Sequence, residues 1–297
     1  MTDIFLIPDR IKAIWEAAET NMAQHLPESV ESEVISWNAE IYEKHELEKY
    51  QSIWTEALLL PGQTDLYESL VLEISNYNGM KPSEVKIYCD HATEALARLW
   101  SSGPYTPPEG IHRFYESPHY IFELMAWHSL TRWDNTPLAY VMALEFAQQV
   151  GIKRHLDFGC GVGSGTILFH KHGITSALGD ISETLLKFAF WRLSQRGLKD
   201  GYIPFRERDG PQWDLITAME VFEHLAYPIE TLDNLHRALV PGGYLFIQLS
   251  SCKPDPQRPQ HILTSPEPVY KRLEELGMTR VWADDWCWGH EIFQKGK

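Results

Sequence analysis

Residues 155–166 read HLDFGCGVGSGT, and this stretch decides the fold. A short apolar run ends at Phe158, Gly159, Gly161, Gly163 and Gly165 follow at alternate positions, and a helical pattern begins at Thr166. Glycine lets a backbone turn sharply and lets a ligand lie against main-chain N–H groups at a helix N-terminus. The spacing then separates two ligand classes. Counted from Gly159, the dinucleotide pattern GxGxxG meets Gly163 one residue early; counted from Gly161, it meets Thr166 where Gly or Ala is required. A dehydrogenase reading is therefore disfavoured. Asp180, closing the next apolar run after ALG, stands where an acidic side chain accepts hydrogen bonds from both ribose hydroxyls of a nucleoside.

Towards the C-terminus, short apolar runs alternate with amphipathic stretches, the pattern of a parallel sheet covered by helices. Strands are expected at 155–158, 176–181, 202–206, 214–221, 244–249, 279–283 and 291–294, with helices at 166–172, 183–195, 229–239 and 266–276. The last two strands are joined by a short segment containing DWCWG. A parallel crossover needs a dozen or more residues, so these strands must pair antiparallel. The expected fold class is α/β, a Rossmann-like seven-stranded sheet with an antiparallel last strand.

Towards the N-terminus the grammar is helical. Ile11, Ile14, Trp15 and Ala18 form one stripe and Val30, Val34, Trp37 and Ile41 another. A turn at 76–82 precedes a helix capped by Ser83 and running through Ala92, Leu96 and Leu99 towards Trp100. SSGPYTPPEG, 101–110, breaks it and reads as a linker or lid hinge. Further helices are expected at 118–133 and 136–150, the latter closed by Gly151. Two domains follow: 1–150, a helical cap, lid or dimerisation unit, and 151–297, which holds the glycine loop.

Composition narrows the classes. The 297 residues are 44% hydrophobic and 23% charged, an ordinary globular balance that excludes collagen-like and disordered chains. A net charge of −15 repels a phosphate backbone, so nucleic acid is excluded as a partner. Cys89, Cys160, Cys252 and Cys287 form no CxxC pair, so neither a zinc knuckle nor a disulfide framework is readable, no metal is expected, and a reducing cytoplasm fits. MTDIFLIPDRIKAIW lacks the basic and apolar regions of a signal peptide, and no membrane span is expected.

Four segments together resemble the class I S-adenosylmethionine-dependent methyltransferases, in the small-molecule branch that includes ubiquinone and menaquinone methyltransferase-like enzymes. They are LDFGCGVGSG at 156–165, GDISETLLKFAFWRL at 179–193, WDLITAMEVFEHL at 213–225 and LVPGGYLFIQLS at 239–250. The resemblance covers about 150–297 and implies S-adenosyl-L-methionine lying across the C-terminal ends of the strands. It makes Asp157, Gly159, Gly161 and Gly163 the loop against the methionine portion and ribose, Asp180 the ribose ligand and Ile181 the adenine face. Ala218, Met219 and Glu220 become the strand end beneath the sulfonium, with Glu223 and His224 entering the acceptor side. The adenine contact stays open among Phe205, Arg206, Glu207 and Asp209.

Methyl transfer from a sulfonium is an in-line displacement, so the protein's main tasks are alignment and water exclusion. An oxygen acceptor must also lose a proton, for which His224, His261 and His128 compete. A nitrogen or carbon acceptor needs no histidine, and Glu223 would then orient it. Tyr115, Tyr120 and Trp127 are candidates for an aromatic roof over the sulfonium. The expected activity is O- or N-methylation of a small molecule of the secondary-metabolic kind. The alternatives are amino-carboxypropyl transfer or cyclisation releasing methylthioadenosine, and a non-catalytic cofactor-binding scaffold. The stripe around Val34, Trp37 and Ile41 would serve a homodimer.

Overall fold

A computed structural model describes residues 4–22, 30–103, 105, 109–131, 136–198, 212–249, 260–285 and 287–297. Eight helices precede the sheet: α1 (Ile7–Met22), α2 (Val30–Leu58), α3 (Leu66–Asn78), α4 (Pro82–Asp90), α5 (Ala92–Ser102), α6 (Glu109–Tyr115), α7 (His119–Ala126) and α8 (Thr136–Val150). β1 (Arg154–Phe158), α9 (Ser164–Lys171), β2 (Thr175–Gly179), α10 (Glu183–Gln195) and β3 (Trp213–Ala218) follow. The chain ends with α11 (Pro228–Ala238), β4 (Leu239–Gln248), α12 (Glu267–Glu275), β5 (Thr279–Ala283) and β6 (His290–Gln294).

The sheet has six strands among the described residues, ordered β2-β1-β3-β4-β6-β5. β2, β1, β3 and β4 are parallel; β6 runs antiparallel to both β4 and β5, as the short connection requires. A seven-stranded sheet was expected. The remaining strand, at 202–206, lies outside the described residues, as do the four adenine-contact candidates and Cys252.

Side chains alternate across a strand, and this splits the core. In β4, Phe246 joins the cluster that contains Trp54, Phe114, Phe146 and Phe188, whereas Leu245 and Ile247 join the cluster of Leu156, Leu232 and Leu273 on the other face. The N-terminal helices thus share one core with one face of the sheet. Trp54, 1% exposed, shows how closely: its indole N–H donates to Ser129 O at 3.0 Å and its ring stacks on Tyr140.

Local expectations change among the N-terminal helices. The helix assigned to a Ser83 cap starts at Pro82, with Lys81 as N-cap and Glu84 accepting from the Lys81 N–H at 2.9 Å. It is interrupted at His91, giving α4 and α5. The helix expected over 118–133 stops at Ala126, where the chain turns so that Ser129 reaches Ser164. On α2, Val34, Trp37 and Ile41 are exposed. No helix among the described residues is long and apolar enough to cross a membrane.

Candidate active site

The carboxyl ends of β1 to β4 open into a cavity of about 1210 Å³, whose other walls come from α5, α6 and α7. Its floor is the glycine loop. Gly159 adopts φ 74°, and a Cβ there would lie 2.3 Å from Val221 Cγ2, so only glycine lets these two turns approach. The loop is pinned to the end of β2: Gly159 and Cys160 N–H donate to Gly179 O at 2.7 and 3.0 Å. Gly161 N–H donates to Asp180 Oδ2 at 2.8 Å, and Ser182 N–H donates to Asp180 Oδ1 at the same distance. Burial raises the Asp180 carboxyl above its ordinary range, with these N–H donors opposing it.

Gly159, Gly161, Asp180, Ile181, Met219, Glu220, His224, His261, Tyr115 and Tyr120 all line the cavity. Asp157, Gly163, Ala218 and Glu223 stand behind its wall. Asp157 is fully buried and accepts hydrogen bonds from Tyr140 Oη at 2.6 Å, Thr166 Oγ1 at 3.0 Å and Thr217 Oγ1 at 3.3 Å. Burial pushes its carboxyl up to about 6 against those donors. Asp157 thus fastens α8, α9 and β3 beneath the loop. Gly165 permits this, because a Cβ there would sit 2.2 Å from the Tyr140 ring. Gly163 is the N-cap of α9, packed 2.9 Å, at its Cβ position, from Ala189 of α10. Ala218 ends β3 within the core on the opposite face of the sheet.

After β3 the chain bends through Glu220, the sole non-glycine residue with positive φ (53°) among the described residues. Backbone held in this sparsely populated region concentrates at functional sites. The 3₁₀ turn Phe222–His224 follows. Glu223 O accepts from Ile262 N–H at 2.7 Å and Leu263 N–H at 3.1 Å, which brings His261 beside His224 with ring centroids 4.7 Å apart. His224 Nδ1 lies 3.3 Å from the Gln260 carbonyl oxygen. A carbonyl only accepts, so this contact needs the proton on Nδ1, and in the neutral ring that leaves the lone pair of a general base on Nε2, which lies 3.9 Å from Glu223 Oε1.

Glu223 is 3% exposed. Burial, then the neighbouring Glu220 carboxylate, holds its carboxyl well above the ordinary range, so it is a neutral acid near pH 7. Unfolded, the same group ionises near pH ~4.3. The folded state therefore keeps its proton to higher pH, and stability falls as pH rises above that value. Glu223→Gln mimics the neutral acid and removes the slope, which is at most about 1.4 kcal/mol per pH unit. Urea midpoints at pH 5 and pH 8 should show the variant gaining on wild type; parallel changes would mean that Glu223 is ionised when folded.

Glu223, His224 and His261 present one ligand atom each within 4.8 Å of one another, so this donor set could hold a divalent cation. With no CxxC pair in the sequence, no metal was expected; these three donors, by contrast, are brought together only by the fold, His224 and His261 lying 37 residues apart in the chain. Beside them, Tyr115 packs edge-on against His224 with ring centroids 5.8 Å apart, the Tyr120 ring lies 4.8 Å from that of Tyr115, and burial keeps both phenols neutral. His128 Nε2 lies 3.3 Å from Glu123 Oε1 on the same wall. Sequence reading missed Gln248 at the end of β4 and Trp288 and His290 in the last hairpin, which border the cavity. The antiparallel register of β6 against β4 sets His290 opposite Gln248.

The donor set fits S-adenosylmethionine. Asp180 offers a carboxylate at the strand end, Ile181 an apolar face 54% exposed, and the loop a cradle so narrow that a Cβ at Gly161 would lie 2.9 Å from Leu124. Residues 131–281 match the family described as a methyltransferase domain, about half of the chain. The chain belongs to that family. This methyltransferase domain is 35% identical over 105 residues to a ubiquinone biosynthesis O-methyltransferase of Coxiella burnetii, covering 33% of this chain and 45% of that protein. It is 36% identical over 100 residues to the corresponding protein of Caulobacter sp., covering 32% and 39%. The chain thus spans less than half the length of these relatives. Among solved structures, the chain is similar to a SAM dependent methyltransferase from Aquifex aeolicus, with 21% identity and a TM-score of 0.42, covering 54% of this chain and 92% of that one.

Proposed function

We propose that this methyltransferase domain transfers a methyl group from S-adenosylmethionine to an oxygen or nitrogen of a small molecule. One observation carries the reading: His224 and His261 converge on the cavity wall, beside the strand ends that carry Asp180 and Met219. Two imidazoles placed there suit an acceptor that must lose a proton. The similarity to O-methyltransferases of ubiquinone biosynthesis supports the same reading.

When bound, S-adenosylmethionine supplies an electrophilic methyl on a sulfonium. The protein's residues do the rest. Asp180 binds the ribose, and Gly159 and Gly161 set the floor. Tyr115 and Tyr120 exclude water and present ring faces that attract a cation. His224 takes the acceptor's proton at Nε2, its orientation fixed through Nδ1 by Gln260 O. His261 packs edge-on against it and restricts its ring.

His224→Ala should lower turnover by roughly 100-fold, within the range for loss of a general base, while leaving cofactor affinity within about twofold. An unaltered rate would remove His224 from the reaction. The activity itself is tested by incubating the protein with S-adenosylmethionine and panels of phenols and amines, with and without a chelator, and quantifying products by mass spectrometry. Acceptor-dependent S-adenosylhomocysteine supports methyl transfer. Methylthioadenosine as the main product would replace it with attack on the amino-carboxypropyl chain.

A further inference from the structure

We infer that Glu116 is a positioning residue for the cofactor, a carboxylate clamp that holds the aromatic roof at a set distance from the turn carrying Asp180. Glu116 directly follows Tyr115 at the end of α6 and reaches across to the start of α10. Its Oε1 accepts from Glu183 N–H at 2.7 Å, and its Oε2 accepts from Thr184 N–H at 3.1 Å and Thr184 Oγ1 at 2.7 Å.

The first N–H groups of a helix have no partners within it, and its N-terminus favours negative charge. In α10 these donors are divided between two acceptors. Ser182 Oγ takes Leu185 N–H at 3.1 Å, and Glu116 takes the two before it. The capping carboxylate therefore comes from the cap helices, 67 residues earlier in the chain. Burial opposes the ionised form, but the Thr184 hydroxyl, the two N–H donors and His112, 3.4 Å away one turn back on α6, hold Glu116 below the ordinary carboxylate range.

Both ends of the clamp bear on the cavity. On one side Tyr115 lines it; on the other Asp180 and Ile181 line it within three residues of Glu183. Ser182 N–H bonds Asp180 Oδ1, so the turn that presents the ribose carboxylate is continuous with the helix end that Glu116 holds. A mere tie between helices would affect only stability. A clamp across the cavity sets how firmly the roof and the adenosine side grip what lies between them.

The inference rests on the proposed cofactor, and the experiment separates the two. S-adenosylhomocysteine is titrated calorimetrically, and its dissociation rate followed by stopped flow, against wild type, Glu116→Ala, Glu116→Gln and Thr184→Val. Glu116→Ala should weaken binding ~10-fold, mainly by faster dissociation, as expected for loss of charge-assisted hydrogen bonds. Glu116→Gln, which keeps an acceptor oxygen without the charge, should fall between, and Thr184→Val should shift affinity about threefold in the same direction. With an acceptor in hand, KM for S-adenosylmethionine should rise while kcat at saturation and KM for the acceptor hold. If wild type binds and the folded Glu116 and Thr184 variants bind equally well, the clamp is overturned alone. If wild type does not bind, the cofactor reading fails and takes the clamp with it.

Discussion

Glu73→Ala is expected to lower the free energy of unfolding by about 3–5 kcal/mol, the usual cost of breaking a buried ion pair from one side. Glu73 of α3 and Arg192 of α10 both have fully buried side chains, 2.7 Å apart, and Arg196 approaches the same carboxylate at 2.7 Å. Arg192 Nη1 also donates to Val162 O and Ser164 Oγ, each at 2.8 Å. Removing Glu73 leaves two guanidinium groups facing each other with no counter-charge, and the dislocation passes through Arg192 into the glycine loop. Burial works against ionised Glu73, but both arginines hold its carboxyl below the ordinary range. Its contribution is therefore present above the ordinary carboxylate value and is lost as pH falls through its depressed one. Urea denaturation at pH 7 measures the loss. Replacing Glu73, Arg192 and Arg196 together by apolar residues should recover much of it, since what costs most is an unpaired buried charge. A single-variant loss under about 1 kcal/mol would show that solvent reaches the network.

Asp180→Ala is expected to weaken S-adenosylhomocysteine binding by roughly 1–3 kcal/mol, about 5- to 150-fold in calorimetry. The effect has two sources. The carboxylate is the proposed partner of the ribose, and it also accepts from Gly161 and Ser182 N–H, so its removal frees the loop and the α10 turn together. Asp180→Asn discriminates between them: its amide oxygen can serve one of the two N–H donors, but its NH₂ confronts the other. If Asn binds as tightly as wild type, the charge matters little and the turn geometry carries the affinity. Unchanged affinity in the Ala variant would remove Asp180 from the site.

Where local pattern suffices, the sequence was legible. The helix expected at 183–195 is α10 (Glu183–Gln195), and Gly151, with φ 77°, closes α8 where expected. The antiparallel ending followed from the length of one connection. What stayed hidden depends on partners distant in the chain. The second strand stops at Gly179 instead of 181, because Asp180 must leave the sheet to accept two N–H groups. Asp157 occupies a motif position that reads as a ligand, and only Tyr140, 17 residues earlier, shows that it also fastens the fold. His224 and His261 were each recognisable, but their adjacency is made by the backbone of Glu223 capturing Ile262 and Leu263. Glu116 carried no signal, since an exposed-looking glutamate after a tyrosine is ordinary until the α10 N-terminus is seen against it.

The bond from Tyr140 to Asp157 bears on how such caps are exchanged. A chimera that grafts foreign helices onto this core would naturally be cut near Gly151, where the grammar of the sequence changes. That cut removes Tyr140 and Trp54, leaving a buried carboxylate facing the slot that Gly165 keeps open for an aromatic ring. The graft junction has to lie before Thr136, so α8 travels with the sheet as a resident part of it. Even then a graft of α1 to α7 has to supply its own counterpart of Glu73, because Arg192, which holds Val162 O and Ser164 Oγ of the cofactor loop, draws its counter-charge from α3.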